Sequence, residues 1–476
     1  MIKVNYLKNK KVAVFGLGKA GKATVDALCK SGVLVYAWDD SESGRQAIID
    51  NKYDNLTMID PAEYNWQEME LLVLSPGIAF THPKPHNVVN LAKQAQKSII
   101  CDIELLYRSC ENAKYIGITG TNGKSTTTAL THHILAESGF KTQVGGNLGI
   151  PALSLEKLDK NGVYVLEMSS YQLDLIDQTR FDVSVLLNIT PDHLERHGGI
   201  DGYIKAKCHI YDQQDKNSTA VISVDDDHCR KIYERLKQEN KIGRLVPISV
   251  NNKVTGGVAL IDGVIYNDID GAGQQIKLGM VDRLRGKHNH QNIIAAFSSC
   301  YSIGAKVDDI IKAIFSFAGL PHRMQLAGTI GGVTFINDSK ATNADAAANA
   351  LAAYDNIYWI AGGLSKEGGI TTLDKFFPKI KHAFLIGKAQ DEFANTLQGK
   401  VDFTKCGDLA GAFDAAKDMA VKNSKCSPTV LLSPACASWD QWPNFEVRGE
   451  AFCKMVVDLE TKLNVTGAFY KSPIQI

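Results

Sequence analysis

The chain has 476 residues, of which 45% are hydrophobic and 22% charged, proportions typical of a globular protein with several domains. Its 52 basic and 52 acidic side chains cancel, so no overall field attracts nucleic acid or a membrane surface, and neither is expected as a partner. Residues 1–11 lack the apolar core of a signal peptide, and the ten cysteines form no C-x-x-C pair. These features predict a cytoplasmic protein with reduced thiols.

The first predicted element is a buried strand over Lys11–Phe15, followed by the turn G-L-G-K-A-G at 16–21 and a helix. The next strand ends at an aspartate, and a later strand over 71–74 ends at a serine before Pro76-Gly77. A G-x-G-x-x-G turn followed by an acidic residue is typical of dinucleotide sites, although any diphosphate-linked nucleoside suits the same glycines. The residues predicted to bind this ligand are Gly18, Lys19, Ala20, Asp39 and Ser75.

The most informative stretch is T-G-T-N-G-K-S-T at 119–126, between an apolar strand and a helix-prone segment. The strict P-loop pattern is not met, because Ile118 occupies the position of its first glycine. Glycines still allow backbone N–H groups to surround phosphate oxygens, a lysine adds charge, and a serine can hold Mg²⁺. The residues predicted to bind ATP here are Gly120, Thr121, Asn122, Gly123, Lys124, Ser125 and Thr126.

Polar residues also follow the later strands of this segment, where ligands of parallel sheets collect. Asn147 follows two glycines, Glu167 ends an apolar strand, and His193 follows the next one. Two further lysines, Lys205 and Lys207, lie on an amphipathic stretch. Asn289 and Asn292 introduce a long helix, where they could cap it or contact a base and ribose.

A third segment begins near residue 320 and repeats the order of strand, polar turn and helix. Strand 333–337 runs into D-S-K, strand 357–361 into G-G-L, and strand 429–432 into S-P-A-C-A-S-W-D. This order predicts an α/β fold of three consecutive Rossmann-like domains, the central one a P-loop-type ATPase domain. The predicted domains are 1–103, with a site for a diphosphate-linked nucleoside, 104–319, with a site for ATP, and 320–476.

Other functions are weaker interpretations of the same residues. The stretch H-L-E-R-H at 193–197 is not the zinc motif H-E-x-x-H, and Ser169-Ser170 lacks the G-x-S-x-G of serine hydrolases. An NAD-dependent dehydrogenase would leave Lys124, Glu167 and His193 without a role. A regulatory nucleotide-binding module without catalysis stays open as a third hypothesis.

Together these motifs resemble the Mur ligase family of ATP-dependent amide-forming enzymes over nearly the whole chain. The phosphate loop, the Glu167 strand end, G-K-H-N-H-Q-N at 286–292 and P-H-R at 321–323 would also fit a folylpolyglutamate synthase. Narrower motifs are similar to the family branch that adds D-glutamate to UDP-N-acetylmuramoyl-L-alanine in peptidoglycan synthesis. They are G-G-N-L-G-I-P-A-L at 145–153, E-M-S-S-Y-Q-L at 167–173, N-D-S-K-A-T-N at 337–343 and S-P-A-C-A-S-W-D-Q-W at 433–442.

The resemblance implies that the alanyl carboxylate attacks the γ-phosphate of ATP, and that the D-glutamate amine then displaces phosphate from the acyl phosphate. It implies ATP and two Mg²⁺ ions, with Lys124 on the phosphates and Ser125 on the first metal. Glu167, His193 and a carbamylated Lys207 would hold the second metal. These four side chains, Lys124, Glu167, His193 and Lys207, are the predicted catalytic residues.

The remaining sites are also implied by the resemblance, in a chain expected to act as a monomer. Asn289, Asn292, Arg323 and Asp338 would bind the nucleotide, and Asn147 and His193 would face the muramoyl substrate. The D-glutamate pocket would comprise Lys340, Thr342, Lys366, Ser438 and Phe445, with Trp439 in its wall. The chain departs from the family at Lys19-Ala20, where a hydroxyl residue is common, and at Ser41, where an arginine may follow the acidic residue. Lys19 could replace the missing positive charge.

Overall fold

The structure, a computed structural model, describes residues 1–49, 53–147, 149–365 and 368–466. Contacts divide the chain into two compact units. The first comprises Met1–Val281 and Asn289–Phe317, and the second comprises Asp282–His288 and the chain from Ala318 onward. Two β-sheets lie in the first unit and one in the second. No described helix combines the length and hydropathy that crossing a bilayer requires.

The first sheet has five parallel strands in the order β3-β2-β1-β4-β5. Its strands are β1 (Lys11–Phe15), β2 (Leu34–Trp38), β3 (Leu56–Met58), β4 (Met69–Leu74) and β5 (Ser98–Ile100). The helices of this segment are α1 (Lys19–Lys30), α2 (Glu42–Ile49), α3 (Asn87–Gln94) and α4 (Asp102–Ser109). Val12, Ala13, Val14 and Phe15 are all buried, as expected of a strand covered on both faces. Because β1 lies between β2 and β4, the glycine turn after β1 is flanked by the ends of both.

The second sheet has nine strands in the order β14-β13-β12-β11-β10-β9-β6-β8-β7. They are β6 (Lys114–Thr119), β7 (Thr142–Gly146), β8 (Val163–Glu167), β9 (Val183–Leu186), β10 (Thr219–Ser223), β11 (Arg244–Ser249), β12 (Val258–Ile261), β13 (Val264–Asn267) and β14 (Gln274–Lys277). The helices are α5 (Lys124–Glu137), α6 (Ser170–Leu173), α7 (Leu194–His197), α8 (Ile200–Cys208), α9 (Asp227–Glu239), α10 (Lys287–Ile303) and α11 (Val307–Ser316). Strand β6, which carries the phosphate loop, lies between β8 and β9 and runs parallel to both.

An antiparallel hairpin extends this sheet and was not predicted. Strands β12 and β13 pair antiparallel, and β14 pairs antiparallel with β13. The connecting residues Asp262 and Gly263 both have positive φ, 50° and 74°. An Asp-Gly turn with this geometry matches the twist of a two-residue hairpin, so the sequence signal for the extension was present at 262–263.

The third sheet has six strands in the order β15-β16-β20-β17-β18-β19, with only the β15–β16 pair antiparallel among the described strands. They are β15 (Gln325–Ile330), β16 (Val333–Asn337), β17 (Ile357–Gly362), β18 (Ile380–Ile386), β19 (Phe403–Gly407) and β20 (Thr429–Leu432). The helices are α12 (Ala344–Ala353), α13 (Gln390–Leu397), α14 (Leu409–Lys422) and α15 (Phe445–Thr466). The last strand, β20, is inserted between β16 and β17, which places their three following loops side by side.

The predicted fold class is confirmed, because three α/β sheets rich in parallel strands follow one another in the predicted order. The predicted domain boundaries at 103/104 and 319/320 stay predictions. In each sheet, a strand lying between two parallel neighbours is followed by one of the predicted ligand loops. Ligands of open α/β sheets bind at such positions.

Candidate active site

The phosphate loop joins β6 to α5 through two glycines in conformations that other residues rarely adopt. Gly120 has a φ of 152° and Gly123 a φ of 85°. A Cβ at Gly123 would lie 2.4 Å from Asn292 Oδ1, so a side chain is excluded there by contact as well as by backbone strain. Lys124 begins α5, and its Nζ donates to the carbonyl oxygens of Gly120 at 2.9 Å and Thr121 at 2.8 Å. The loop therefore has the tight shape and helix N-terminus of a phosphate cradle.

Asn188, which follows β9, holds this loop by hydrogen bonds in both directions. Its Oδ1 accepts from the Asn122 N–H at 2.8 Å, and its Nδ2 donates to the Asn122 carbonyl at 3.1 Å. The Asn188 carbonyl also accepts from the Thr121 N–H at 2.9 Å. Ser125 and Thr126, the next predicted ligands, are buried in the first turn of α5. The cradle is thus fixed from the neighbouring strand.

The predicted asparagines of α10 lie beside α5. Asn292 Nδ2 donates to Asn289 Oδ1 at 3.0 Å, and Asn292 Oδ1 accepts from Thr127 Oγ1 at 3.1 Å. Because α10 begins at Lys287, neither asparagine is the residue before the helix that would cap it, and contact with the nucleotide stays a prediction.

Lys207 lies beneath the phosphate loop and is only 1% exposed. Its Nζ donates to the Gly120 carbonyl at 2.9 Å and lies 4.5 Å from the centre of the Tyr203 ring. Burial, followed by the positive charge of Lys124, lowers the pKa of Lys207 well below its ordinary value. Both lysines donate to the same Gly120 oxygen, so an uncharged Lys207 amine is the state that this geometry favours.

Glu167 and Asn147 form a hydrogen-bonded pair at the neighbouring strand ends. Glu167 is 3% exposed, and its Oε1 accepts from Asn147 Nδ2 at 2.6 Å. Its Oε2 is buried without a hydrogen-bond partner among the described residues. Burying a carboxylate oxygen without a partner costs free energy, and a bound cation would compensate that cost. The oxygen donor of Glu167 therefore fits Mg²⁺.

His193 follows β9 in a left-handed conformation, with a φ of 52°. Its side chain is half exposed; its Nε2 lies 3.5 Å from Asp192 Oδ2, and its ring centre is 5.5 Å from that of Tyr171. In the part of the chain that the structure describes, no group of three or more His, Cys, Asp or Glu side chains is arranged to hold a metal. The second Mg²⁺ site at Glu167, His193 and a carbamylated Lys207 stays a prediction.

The first-sheet residues lie together around the glycine turn. Gly18 precedes α1, whose first residues are Lys19 and Ala20. Asp39 Oδ2 accepts from the Leu17 N–H, and Ser75 Oγ donates to the Gly16 carbonyl at 2.8 Å. Carboxylate and hydroxyl thus support the turn from β2 and β4, the two strands that flank β1.

Two basic side chains, Lys19 and Arg45, lie near this turn. Lys19 Nζ donates to the Gly149 carbonyl of the loop after β7. Arg45 lies at the end of β2, with its guanidinium 4.5 Å from the centre of the Trp38 ring and its Nη1 donating to the Asp39 carbonyl at 2.6 Å. Sequence reasoning missed Arg45 because it follows Asp39 by six residues rather than directly.

In the second unit, Asp338 follows β16 and is 4% exposed. Its Oδ2 accepts from Ser433 Oγ at 2.7 Å and its Oδ1 from the Met324 N–H at 3.1 Å. Burial raises the pKa of Asp338 to about 7, an effect that these hydrogen bonds and the charge of Arg323 only partly oppose. Ser433 was not predicted, because its pairing with Asp338 depends on β20 lying beside β16.

The predicted amino-acid pocket residues cluster on the loops after β16 and β20. Lys340 Nζ lies 5.5 Å from the centre of the Phe445 ring, and the Phe445 carbonyl accepts from Ser339 Oγ at 2.9 Å. The Thr342 N–H donates to the Lys340 carbonyl at 2.9 Å. Ser438 is buried in the loop after β20, whereas Trp439 is 71% exposed. Lys366 lies outside the described residues.

Arg448 on α15 is a further buried cation that sequence reasoning missed. It is 1% exposed, and its Nε donates to Ser339 Oγ at 2.9 Å. Its Nη2 donates to the carbonyls of Ser339 at 2.9 Å and Cys436 at 3.1 Å. The arginine thus ties together the two loops that carry the predicted pocket.

Two family profiles match this chain in the segments just described. The profile of the Mur ligase middle domain matches residues 118–300, and that of the Mur ligase glutamate ligase domain matches residues 322–436. A relative from Paramagnetospirillum magneticum is 46% identical over 456 residues, which cover 96% of this chain and 98% of the relative. The chain belongs to the Mur ligase family of ATP-dependent ligases.

The relative from Paramagnetospirillum magneticum is named UDP-N-acetylmuramoylalanine--D-glutamate ligase, a name shared by other relatives at 44–46% identity. A second example, from Rhodospirillum rubrum, is 46% identical and covers 94% of each chain. Among solved structures, MurF ligase of Thermotoga maritima in complex with ADP matches with a TM-score of 0.56 at 17% identity over 96% of each chain. The UDP-N-acetylmuramate-alanine ligase of the same organism matches with a TM-score of 0.55 at 16% identity, over 94% of this chain and 99% of that one. These two likenesses support the fold.

Proposed function

We propose that this chain joins D-glutamate to UDP-N-acetylmuramoyl-L-alanine in the cytoplasmic stage of peptidoglycan synthesis. ATP is converted to ADP when its γ-phosphoryl group passes to the alanyl carboxylate, and phosphate leaves when the D-glutamate amine bonds to the acyl carbon. The shared name of relatives that are 46% identical over nearly the full length supports the two substrates. The observation that carries the chemistry is the pair Lys124 and Lys207, whose Nζ atoms each lie 2.9 Å from the Gly120 carbonyl oxygen. Lys124 supplies a positive charge for the phosphates, and the uncharged Lys207 amine suits the carbamate that the proposed metal site uses.

Activation of the acceptor is the first chemical requirement, because a carboxylate is a poor electrophile at neutral pH. The alanyl carboxylate oxygen bonds to the γ-phosphorus of ATP, and the bond from that phosphorus to the β-phosphate oxygen breaks. Lys124 leaves its two loop carbonyls and binds the β- and γ-phosphate oxygens, where negative charge develops. Gly120, Thr121, Asn122 and Gly123 surround the phosphates, and Ser125 and Thr126 complete the cradle.

Metal ions would be held beside this loop by Ser125 at one position and by Glu167, His193 and Lys207 at the other. Bound Mg²⁺ supplies charge neutralisation for the phosphoryl and acyl oxygens. A free ammonium would repel it, whereas a carbamate supplies oxygens. The lowered pKa of Lys207 supports this modification: the neutral Nζ bonds to the carbon of CO₂, and a proton leaves Nζ.

The incoming D-glutamate carries two carboxylates, which require cationic and hydrogen-bonding groups. Lys340, Thr342, Ser438 and the Phe445 segment supply such groups in the second unit, and Lys366 is proposed with them. Arg323 and Asp338 are proposed to bind the nucleotide. Asn147 and His193 are proposed to orient the muramoyl substrate, while Gly18, Lys19, Ala20, Asp39 and Ser75 bind its UDP part.

Amino-acid selectivity tests this proposal most directly. The full-length chain is incubated with UDP-N-acetylmuramoyl-L-alanine, ATP and Mg²⁺, and ADP release is compared for D-glutamate, L-glutamate, L-alanine and meso-diaminopimelate. We expect release with D-glutamate alone, lowered roughly 1000-fold in Lys124→Ala. Lys141→Ala, which changes a surface lysine of the same unit, is the matched control and should retain activity.

A different acceptor or amino acid would contradict the proposed specificity while preserving the reaction class. Release of ADP with a folate acceptor would identify a folylpolyglutamate synthase, and release with meso-diaminopimelate another Mur ligase. Turnover by Lys124→Ala at the rate of the wild type would contradict the role of the phosphate loop itself.

A further inference from the structure

Arg196 makes a direct connection between the first sheet and the turn that carries His193. It lies three residues after His193, on α7. Its Nη1 donates to the Gly77 carbonyl at 3.1 Å and its Nη2 to the Ile78 carbonyl at 3.0 Å. Its guanidinium carbon is 4.6 Å from the centre of the Tyr171 ring. One planar group thus contacts two parts of the candidate site at once.

The carbonyls that Arg196 binds belong to the turn after β4, which supports the glycine turn of the proposed UDP site. The Ile78 N–H donates to the Ser75 carbonyl at 3.0 Å, and Ser75 Oγ donates to the Gly16 carbonyl at 2.8 Å. A Cβ at Gly16 would lie 2.6 Å from Ser75 Cβ and 3.2 Å from Ile78 Cγ1. Because these two turns are in such close contact, a displacement of one displaces the other.

The Tyr171 ring, on which Arg196 stacks, also contacts the turn that carries His193. Tyr171 is stacked on His197 with ring centres 5.3 Å apart and contacts the His193 ring at 5.5 Å. His197 is buried, and its Nε2 lies 2.9 Å from Ser170 Oγ. Tyr171 therefore occupies a defined position between Arg196, His197 and His193.

The geometry points to Arg196 as a positioning residue that couples binding of the nucleotide-sugar substrate on the first sheet to the placement of His193, the proposed metal ligand. The contacts require a planar fork with parallel donors that also stacks on a ring, and lysine supplies neither feature. A ligand that orders one turn thereby favours the arrangement that the other ligand needs, and this coupling acts equally in both directions.

Binding measurements test the coupling, and the choice of ligands rests on the proposed function. Calorimetry gives the Kd of UDP-N-acetylmuramoyl-L-alanine for the full chain, with and without Mg²⁺ and a non-hydrolysable ATP analogue. For the wild type we expect the analogue to lower this Kd by about 5-fold or more, as for typical coupled sites. In Arg196→Lys the factor should fall to about 1–2, while the Kd of each ligand alone changes less than about 3-fold.

A conservative pair of variants and a distant control separate coupling from general stability. Tyr171→Leu, which removes the stacking surface, should also abolish the coupling, whereas Tyr171→Phe should keep it. Arg180→Lys changes an arginine of the same unit that is paired with Asp182 and Asp215, and should retain the wild-type factor. A wild-type factor near 1, or an unchanged factor in Arg196→Lys and Tyr171→Leu, would overturn the inference.

Hydrogen exchange provides a second measurement that does not depend on catalysis. Addition of Mg²⁺ and the ATP analogue alone should slow exchange of the Ile78 amide in the wild type and not in Arg196→Lys. Equal protection in both proteins would count against Arg196 as the connection. If the wild type failed to bind the nucleotide-sugar at all, the proposed function would be contradicted instead, so the two failures are distinguishable.

Discussion

Two fully buried basic side chains, one in each unit, lie beneath the predicted ligand loops and differ in their chemistry. Lys207 lies under the phosphate loop and Arg448 under the turn after β16, and each is 1% exposed. Among the described residues neither forms an ion pair with a carboxylate, and both donate instead to carbonyl and hydroxyl oxygens. Burying a charge without a counter-ion is unfavourable, so each side chain must either lose its charge or have it stabilised by hydrogen bonds.

The two residues meet this requirement in different ways. Burial lowers the pKa of Lys207 well below its ordinary value, which favours the uncharged amine that the proposed reaction with CO₂ requires. Burial lowers the pKa of Arg448 only to about 10, so its guanidinium stays charged at neutral pH and uses its fork of donors on three oxygens. The first site can therefore be modified chemically, whereas the second supplies a fixed charge and fixed geometry.

Replacement of Lys207 should have the largest effect of the changes that test this comparison. Lys207→Ala and Lys207→Arg should both lower kcat by roughly 100- to 1000-fold, because neither side chain can carry a carbamate. Steady-state ADP release measures this, and high bicarbonate should restore neither variant. In the wild type, ¹³C-labelled CO₂ should give a carbamate resonance that is absent from Lys207→Ala.

The control for Lys207 is Lys205→Ala, two residues earlier on the same helix. Its side chain is more accessible than that of Lys207, and its loss should change kcat by less than about 3-fold. Activity of Lys207→Arg near that of the wild type would show that a fixed charge is sufficient there. The contrast with Arg448 would then disappear.

Arg448→Lys should have an effect of intermediate size, and only on the KM for D-glutamate. Lysine cannot reproduce the paired donors to the Ser339 and Cys436 carbonyls, so the loops carrying Lys340 and Ser438 lose their common support. Loss of a charged hydrogen bond of about 1.5–3 kcal/mol should raise the KM for D-glutamate roughly 10-fold or more, with the KM for ATP nearly unchanged. Initial rates at varied D-glutamate and varied ATP give this split.

The matched change for Arg448 is Lys454→Gln, an exposed position six residues later on α15. It should leave both KM values at those of the wild type. An equal rise in the two KM values for Arg448→Lys would indicate general loosening of the unit rather than support of the pocket.

The loops that follow strands could be predicted from the sequence, because the residues that form them are set by the local backbone conformation. Gly120 and Gly123 need positive φ, and an apolar strand must precede them and a helix must follow. The same reasoning located the glycine turn at 16–21 and the polar turn after β16. In the second sheet the order of strands then places Glu167 and Asn188 on either side of the phosphate loop.

Partners that depend on strand order or on distant helices could not be read from the sequence. Ser433 pairs with Asp338 because β20 is inserted beside β16, 95 residues away along the chain. Arg448 reaches Ser339 from α15 across 109 residues. Arg45 Nη1 donates to the Asp39 carbonyl across six residues, and Lys19 Nζ donates to the Gly149 carbonyl across 130. In each case tertiary packing, and no local pattern, selects the contact.

Replacement of Asp338 should have the smallest effect of these changes, on stability rather than on turnover. Burial raises the pKa of this acid and lowers the pKa of Lys207, so in both residues burial favours the uncharged form. The pKa of Asp338 is raised from 3.8 to about 7, so between these values the folded chain keeps a proton that the unfolded chain has lost. Its contribution to stability is therefore fully present below about pH 4 and is lost as the pH rises toward 7. Asparagine at this position cannot ionise. Between pH 4.5 and 7.5 the free energy of unfolding of Asp338→Asn should therefore rise, relative to that of the wild type, by on the order of 2–3 kcal/mol.

Hydrogen exchange at the amides of β16 and β20 measures this stability within the second unit, with both proteins compared at each pH. Asp345→Asn changes an exposed aspartate on α12 and is the control. Its difference from the wild type in free energy of unfolding should be the same at pH 4.5 as at pH 7.5. If the difference in stability between Asp338→Asn and the wild type were also constant, folding would not raise the pKa of Asp338. The buried acid of the second unit would then carry its charge in the folded chain, held by Ser433, the Met324 N–H and Arg323, and would not resemble Lys207 in avoiding charge.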